Sequence, residues 1–191
     1  ESSTSDQYEY ILPDIVLDKN LFSSDKYGYA DFQSNLIFHN FETNKFTKFF
    51  INDIDWKYKQ FNYSSGLSGR LLGKLKNVNY EAKNTSIYKT DTTHEVFGAL
   101  GYLTEINLFK KIKENSKRFL TPKMLIRYAP GHMRDETSEA RLSHSNVFSL
   151  DRLNTNKNFE SGLSATLGFD YELEESDKKL DFSIAQIINE K

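Results

Sequence analysis

The stretch that decides the fold is "GLSATLGFDYELEES", Gly162 to Ser176. Leu163, Ala165, Leu167, Phe169, Tyr171 and Leu173 take every second position, and Gly162, Ser164, Thr166, Gly168, Asp170 and Glu172 fill the gaps. A helix would need apolar residues three and seven places beyond Leu163, where Thr166 and Asp170 stand, so the period of two predicts an extended strand with two unlike faces. The apolar face of such a strand must be covered. It meets either the core of a soluble sheet or the hydrocarbon of a membrane, and these lead to different functions.

The alternation recurs. In "DIDWKYKQ", Ile54, Trp56 and Tyr58 share one face, and Asp53, Asp55, Lys57 and Lys59 the other. In "LTPKMLIRYAP", Leu120, Met124, Ile126 and Tyr128 alternate with Thr121, Lys123 and Arg127, with Leu125 on the polar side and Pro122 on the apolar one. A proline inside a strand removes a ladder hydrogen bond, so Pro122, like Pro13, is expected near a strand start or bulge. Extended segments are predicted at Tyr8 to Leu17, Ala30 to Phe41, Lys45 to Phe61, Leu67 to Tyr80, His94 to Leu108, Phe119 to Ala129, Ser161 to Leu173 and Leu180 to Ile188. They are separated by Asn, Ser, Asp, Lys and Gly, and no helical apolar stripe lasts three turns. The expected class is all-β, with no internal repeat and no second domain.

Composition agrees. Of 191 residues 38% are apolar and 14% aromatic, with only 3 Pro, which suits many half-buried strands. The net charge of -2 comes from interspersed acids and bases, with no basic stripe, so nucleic acid is not an expected partner. With 0 Cys there is neither a disulfide framework nor a thiolate metal site. No apolar run reaches about 18 residues, the length a transmembrane helix needs, although strands cross membranes without one. The opening "ESSTSDQ" reads as a piece of a longer protein, so a missing signal peptide carries no weight.

The connections "FETNK" and "EESDKK" are short enough for hairpins, whereas Pro130 to Asn158 is long and polar. Outer-membrane barrels show that inequality, with short turns at one end and long loops at the other. Yet "FETNK" and the long segment fall at the same end when the strands are counted, which predicts a missed or merged strand. Tyrosines and Trp56 gather near the predicted strand ends, as interfacial girdles would.

Several residues invite a chemical reading. His132, Asp135, Glu136, Glu139 and His144 are metal-ligand types, but a solvated polar loop accounts for them equally. His144 lies between Ser143 and Ser145, yet no Gly-x-Ser-x-Gly elbow is present. "GLSGRLLGK" lacks phosphate-loop spacing, so Gly66, Gly69 and Gly73 read as strand punctuation. His39 and His94 read as polar strand or turn residues, and Arg152 and Glu160 as either an inward-facing ion pair or loop charges. No catalytic residue, metal or cofactor is assigned, and the chain is not expected to be an enzyme.

"FLTPKMLIRYAPG", then "NVFSLDRLNTNKNFESGLSATLGFDYELE", then "FSIAQI", resemble the barrel of the outer-membrane lipopolysaccharide-assembly family LptD, the organic-solvent-tolerance family. The succession of Pro122, Asn146, Phe148, Ser149, Arg152, Glu160, Gly162 and Gln186 carries the likeness from about Phe119 onward, and "YEYILPDI" and "FINDIDW" fit more loosely. No one motif is specific; their order is. The resemblance implies an antiparallel up-and-down transmembrane β-barrel in the bacterial outer membrane, with 1–191 an interior section that forms a curved open sheet. The family's N-terminal periplasmic jellyroll and lateral-gate strands would lie outside it. The cysteines some members use for disulfides are absent. By resemblance the function is part of a translocon that assembles lipopolysaccharide into the outer leaflet. The implied partners are lipopolysaccharide, outer-membrane lipid, an accessory plug lipoprotein and periplasmic lipopolysaccharide-transport bridge proteins. Asp55, Lys57, Arg127 and Thr166 would line the polar passage, while Trp56, Ile126 and Leu167 would touch lipid. The alternatives are a soluble β-sandwich that binds glycans through its tyrosines and, third, a barrel-borne lipid hydrolase.

Overall fold

A computed structural model describes residues 10–41, 45–85, 88–113, 116–131, 142–153, 159–175 and 178–190. It contains ten strands: β1 Tyr10–Ser24, β2 Gly28–Phe41, β3 Lys45–Lys57, β4 Phe61–Asn62, β5 Leu67–Lys83, β6 Thr93–Ile106, β7 Leu108–Lys113, β8 Ser116–Ala129, β9 Gly162–Glu175 and β10 Lys178–Asn189. All belong to one antiparallel sheet in the order β1-β2-β3-β5-β6-β8-β9-β10, with β4 beside β5 and β7 beside β8. The architecture is all-β and up-and-down, and the described residues include no helix.

The ladders carry a single parity across the sheet. Ala30, Trp56, Gly73, Leu100, Tyr128 and Leu163 pair in one continuous row. One residue along, Asp31, Asp55, Lys74 and Ala99 pair in a row whose side chains face the other way. The alternation read in the sequence therefore becomes two whole faces. On one, Ile51 is 2% exposed and Val78 and Leu125 are fully buried; on the other, Val96 is 67% and Leu100 64% exposed, with Leu75, Ile126, Leu167 and Ile184 also exposed. The predicted alternation is kept, but the apolar face is the bare one.

The covered face is concave. Leu142, His144 and Val147 share a pocket with Ser183 and Ala185 of β10, while Ser149 and Asp151 share another with Asp18 of β1 and Asp31 of β2. Laid flat, the eight-strand path would separate those edges by about 34 Å at the usual spacing of about 4.8 Å. Residues 142–151, coiled through turns, bridge them only because the sheet curls around the segment. Phe159 completes the filling, with its ring 6.1 Å from that of Phe97.

All eight predicted strands exist, and the loop mismatch has another cause than a missing long strand. The β2–β3, β5–β6 and β8–β9 connections fall at one end of the up-and-down sheet, and residues 142–153 of the longest lie against the concave face. The merged elements are small: β4 begins at Phe61 and β7 at Leu108, the final residues of two predicted strands. Pro13 lies at a register shift in edge strand β1. Pro122 is inside β8, but opposite the gap between β6 and β7, where Asn107 leaves the ladder; pairing stops at Lys123–Glu105 and resumes at Leu120–Leu108. Its missing N–H therefore costs no bond on that side. Of the three glycines read as punctuation, only Gly66 is in a turn, and Gly69 and Gly73 lie within β5.

Gly28 opens β2 with φ +77°, and a Cβ there would stand 2.0 Å from the carbonyl oxygen of Lys57. Gly28→Ala is expected to destabilise the sheet by about 1–3 kcal/mol, read as a lowered urea midpoint. Gly131→Ala starts from φ +112° with no atom within 4 Å and is expected to cost less.

A sealed charged layer on the concave face

The inward segment is shaped by its own polar side chains. The Ser143 amide donates to Asn146 Oδ1 at 2.8 Å, and the Val147 amide to the Ser143 carbonyl at 3.0 Å. The Ser149 amide donates to the Asn146 carbonyl at 2.9 Å, and Ser149 Oγ accepts the Asp151 amide at 3.2 Å. These successive turns use the short polar side chains as local hydrogen-bond partners. They bring Val147, Leu150, Asp151 and Arg152 against the sheet, all buried.

Three cations fasten the segment there. Arg152, with a fully buried side chain, grips Glu160 bidentately, Nε to Oε2 at 2.8 Å and Nη2 to Oε1 at 2.7 Å. It also donates to Ser164 Oγ at 3.0 Å and Thr166 Oγ1 at 3.2 Å on β9. Arg127 of β8, 1% exposed, donates to the Leu150 carbonyl at 2.7 Å and to the Glu160 carbonyl, and lies 5.3 Å from the Phe159 ring centre. Lys76 of β5, 2% exposed, meets Asp151 Oδ2 at 2.5 Å. The planar fork of arginine suits two-point recognition of a carboxylate, whereas Lys76 acts as a compact charge.

Beside this layer the concave face is open. A cavity of about 630 Å³ is lined by Asp18, Asp31, Gln33, Asp55, Lys57 and Lys74, with Ser149 and Asp151 as its boundary to the segment. Lys74 binds Asp55 at 2.8 Å and stands 3.9 Å from Asp53. Such a surface offers hydrogen-bonding groups of both signs to a hydrated or saccharide-bearing molecule.

The sequence-predicted residues divide between the two regions. Asp55 and Lys57 line the cavity, Lys57 with Nζ 5.6 Å over the Tyr29 ring. Arg127 and Thr166 face the same side but lie under the segment, so they hold the seal and do not border open space. Arg152 and Glu160 form the inward ion pair. Sequence reasoning missed Lys76, Asp151 and Phe159. Lys74 and Lys76, alternating with Leu75, were a readable sign of an inner charged row; Asp151, in a connecting segment, gave none.

Among the tempting loop residues, His144 Nε2 lies 2.8 Å from Asp170 Oδ1, while the hydroxyls of Ser143 and Ser145 bond each other at 2.8 Å. His132, Asp135, Glu136 and Glu139 lie outside the described residues. No family model matches the chain, and no curated protein matches it.

Removing one partner of a buried ion pair leaves the other charge uncompensated. Lys76→Met is expected to cost about 3–5 kcal/mol and to expose the segment to protease, whereas Lys76→Met with Asp151→Leu recovers most of the loss, as a double-mutant denaturation cycle would show.

Proposed function

We propose that this chain is a wall section of an outer-membrane β-barrel that serves delivery of lipopolysaccharide to the outer leaflet. The single observation that carries this reading is the bare apolar face: a one-layer sheet with leucines and aromatics exposed along its convex side and charge enclosed on its concave side. In water that surface would be far larger than the few hundred Å² a soluble monomer usually leaves contiguous. In a membrane it meets its own kind. From Leu163 to Leu173 the outer row of β9 covers about 33 Å of strand, which at a tilt of about 40° matches an apolar band about 25 Å tall. The aromatic groups support the same reading: Trp56, Tyr58 and Phe61 pack ring to ring at one end of β3 and its turn, as residues of an interfacial girdle would.

The resemblance supplies the cargo. Of the residues that carry it, Asn146 and Ser149 shape the inward turns and Arg152 and Glu160 lock them, so the shared succession coincides with the sealed layer. Lipopolysaccharide has a charged saccharide part that hydrocarbon excludes and acyl chains that water excludes. A wall with a polar interior and an apolar exterior accommodates both without bond chemistry, the open cavity of Asp55 and Lys57 being the stretch of inner surface available to saccharide. The accessory plug lipoprotein and the periplasmic bridge proteins are partners of the assembled machine on this reading. A soluble sandwich would need a second sheet over the apolar face, and every described strand belongs to one sheet.

Leu167→Arg on the convex face is expected to lower folding stability in lipid bilayers by about 2–4 kcal/mol, while Gln33→Arg on the open concave face changes it little. Urea titration of the chain refolded into vesicles checks this, and equal tolerance of both would overturn the membrane reading.

A further inference from the structure

Cations crowd one hairpin. In "LFKKIKENSKRF", Leu108 to Phe119, basic residues occupy both arms of the β7–β8 pair. The ladder sets Lys110 directly opposite Arg118 and Lys111 directly opposite Lys117, all four exposed. Side chains facing each other in this way stand about 5 Å apart at Cβ, and like charges there destabilise the ladder. The hairpin therefore works against its own folding at two successive positions, and charge held under that penalty calls for a counter-charge from outside the sheet.

Parity separates the two pairs. Arg118 is an even number of residues from Tyr128 along the unbroken β8–β9 ladder, so Arg118 and its partner Lys110 face the convex side; Lys117, an even number from Arg127, faces the concave side with Lys111. The concave pair has an acid beside it, because Glu174 is the β9 neighbour of Lys117. The convex pair does not. Its ladder neighbours on β9 and β10 are Leu173 and Leu180, and the next convex carboxylate along β9, Glu175, stands opposite Lys178. Among the described residues neither Lys110 nor Arg118 has an ion-pair partner. One row nearer the middle of the sheet the same face is apolar, with Leu108, Leu120, Tyr171 and Phe182 paired across β7, β8, β9 and β10. On β7 and β8 the two cations thus stand where the oily band ends, their aliphatic stems able to lie along it and their charged heads beyond it.

This is the end of the short turns. β7 joins β8, and β9 joins β10, through two residues each, 114–115 and 176–177, whereas the long 130–161 connection is at the opposite end. On the membrane reading, short turns mark the periplasmic side of an outer-membrane barrel, where the leaflet is phospholipid.

The geometry points to a seat for the headgroup phosphate of one anionic phospholipid between Lys110 and Arg118, on the outside of the wall at its periplasmic rim. The inference rests on the membrane reading and adds to it a leaflet and a headgroup charge. A phosphodiester between the facing cations turns their repulsion into two attractions, with the arginine fork presented to two oxygens and the lysine acting as a compact charge. A zwitterionic headgroup brings its own ammonium to the pair and forfeits most of that gain, so net headgroup charge selects the occupant. An acidic protein fits less well, because it would have to approach over the Leu108–Leu120–Tyr171–Phe182 row, which on this reading is sunk in lipid.

The full chain, refolded in detergent, is offered equal amounts of phosphatidylglycerol and phosphatidylcholine, and retained lipid is counted by native mass spectrometry. The unaltered chain is expected to retain one phosphatidylglycerol with about fivefold higher affinity than phosphatidylcholine. Lys110→Gln with Arg118→Gln is expected to bring the two lipids to parity. Lys111→Gln with Lys117→Gln removes the same charge from the concave face and is expected to keep the preference, which separates a seat from the pull of net charge. Each double variant relieves a like-charge pair, so both are expected to fold at least as well as the unaltered chain, read as a urea midpoint. Parity in the unaltered chain, a preference that survives Lys110→Gln with Arg118→Gln, or equal loss in both double variants overturns the seat. If that happens while Leu167→Arg still impairs bilayer folding and Gln33→Arg does not, the membrane reading stands and only the seat falls.

Discussion

The constraint on which everything else rests is parity. In an antiparallel ladder each residue has a fixed side, and a slip of one position would exchange the two faces of a strand entirely. Here six long strands keep one register from Ala30 to Leu163, and the two irregularities of the β1–β2 ladder are confined to the edge strand β1. Because of that, a modest bias in each strand adds up to a bare, mainly apolar surface on one side and, on the other, a covered surface where a cluster around Phe49, Val78 and Leu125 lies beside the charged groups. Backbone hydrogen bonding is satisfied within the sheet, which is what allows its outer face to be greasy without exposing unpaired peptide groups except at the edges.

The polar face has the harder energetic problem. Fully buried arginines and a buried lysine are costly to desolvate, and well-packed apolar residues would often do as well for stability alone. What the charges contribute is position. Arg152 reaches Glu160 and two β9 hydroxyls at once, and Arg127 reads the carbonyls of Leu150 and Glu160, so the segment has one way to lie. Phe159, between Arg127 and Lys76, excludes water from the same contacts. The result is a face divided into a locked part and an open part, and Asp151 belongs to both.

Much of this could be read from residues two apart. Leu163 to Leu173 and Ile54 to Tyr58 stated the sheet, and that Asp55, Lys57, Arg127 and Thr166 share one side of it follows from parity, which is local information. Depth is not local. Nothing in "IRYAP" says that Arg127 lies under a distant segment, since its cover comes from residues more than twenty positions away. The inward course of 142–153 and 159–161 escaped for the same reason: their polar composition is that of a solvated loop, and only the partners waiting on β5, β8 and β9 distinguish them. The glycines of β5 misled in the opposite sense. Gly69 and Gly73 resemble turn signals, but their role is to make room on the outer face for the rings of Tyr102 and Trp56.

The gap at Asn107 has a mechanical meaning. β6 and β7 are one extended run interrupted opposite Pro122, with Thr121 Oγ1 held by Asn107 Oδ1 at 3.1 Å through side chains alone. Elsewhere the sheet resists bending because every flexure must stretch a ladder bond. Between Lys123 and Leu120 there is none to stretch on the β6 side, but β8 stays paired with β9 from Ser116–Glu175 to Ala129–Gly162, so the play this gap allows falls to β7, whose ladder among the described residues is with β8.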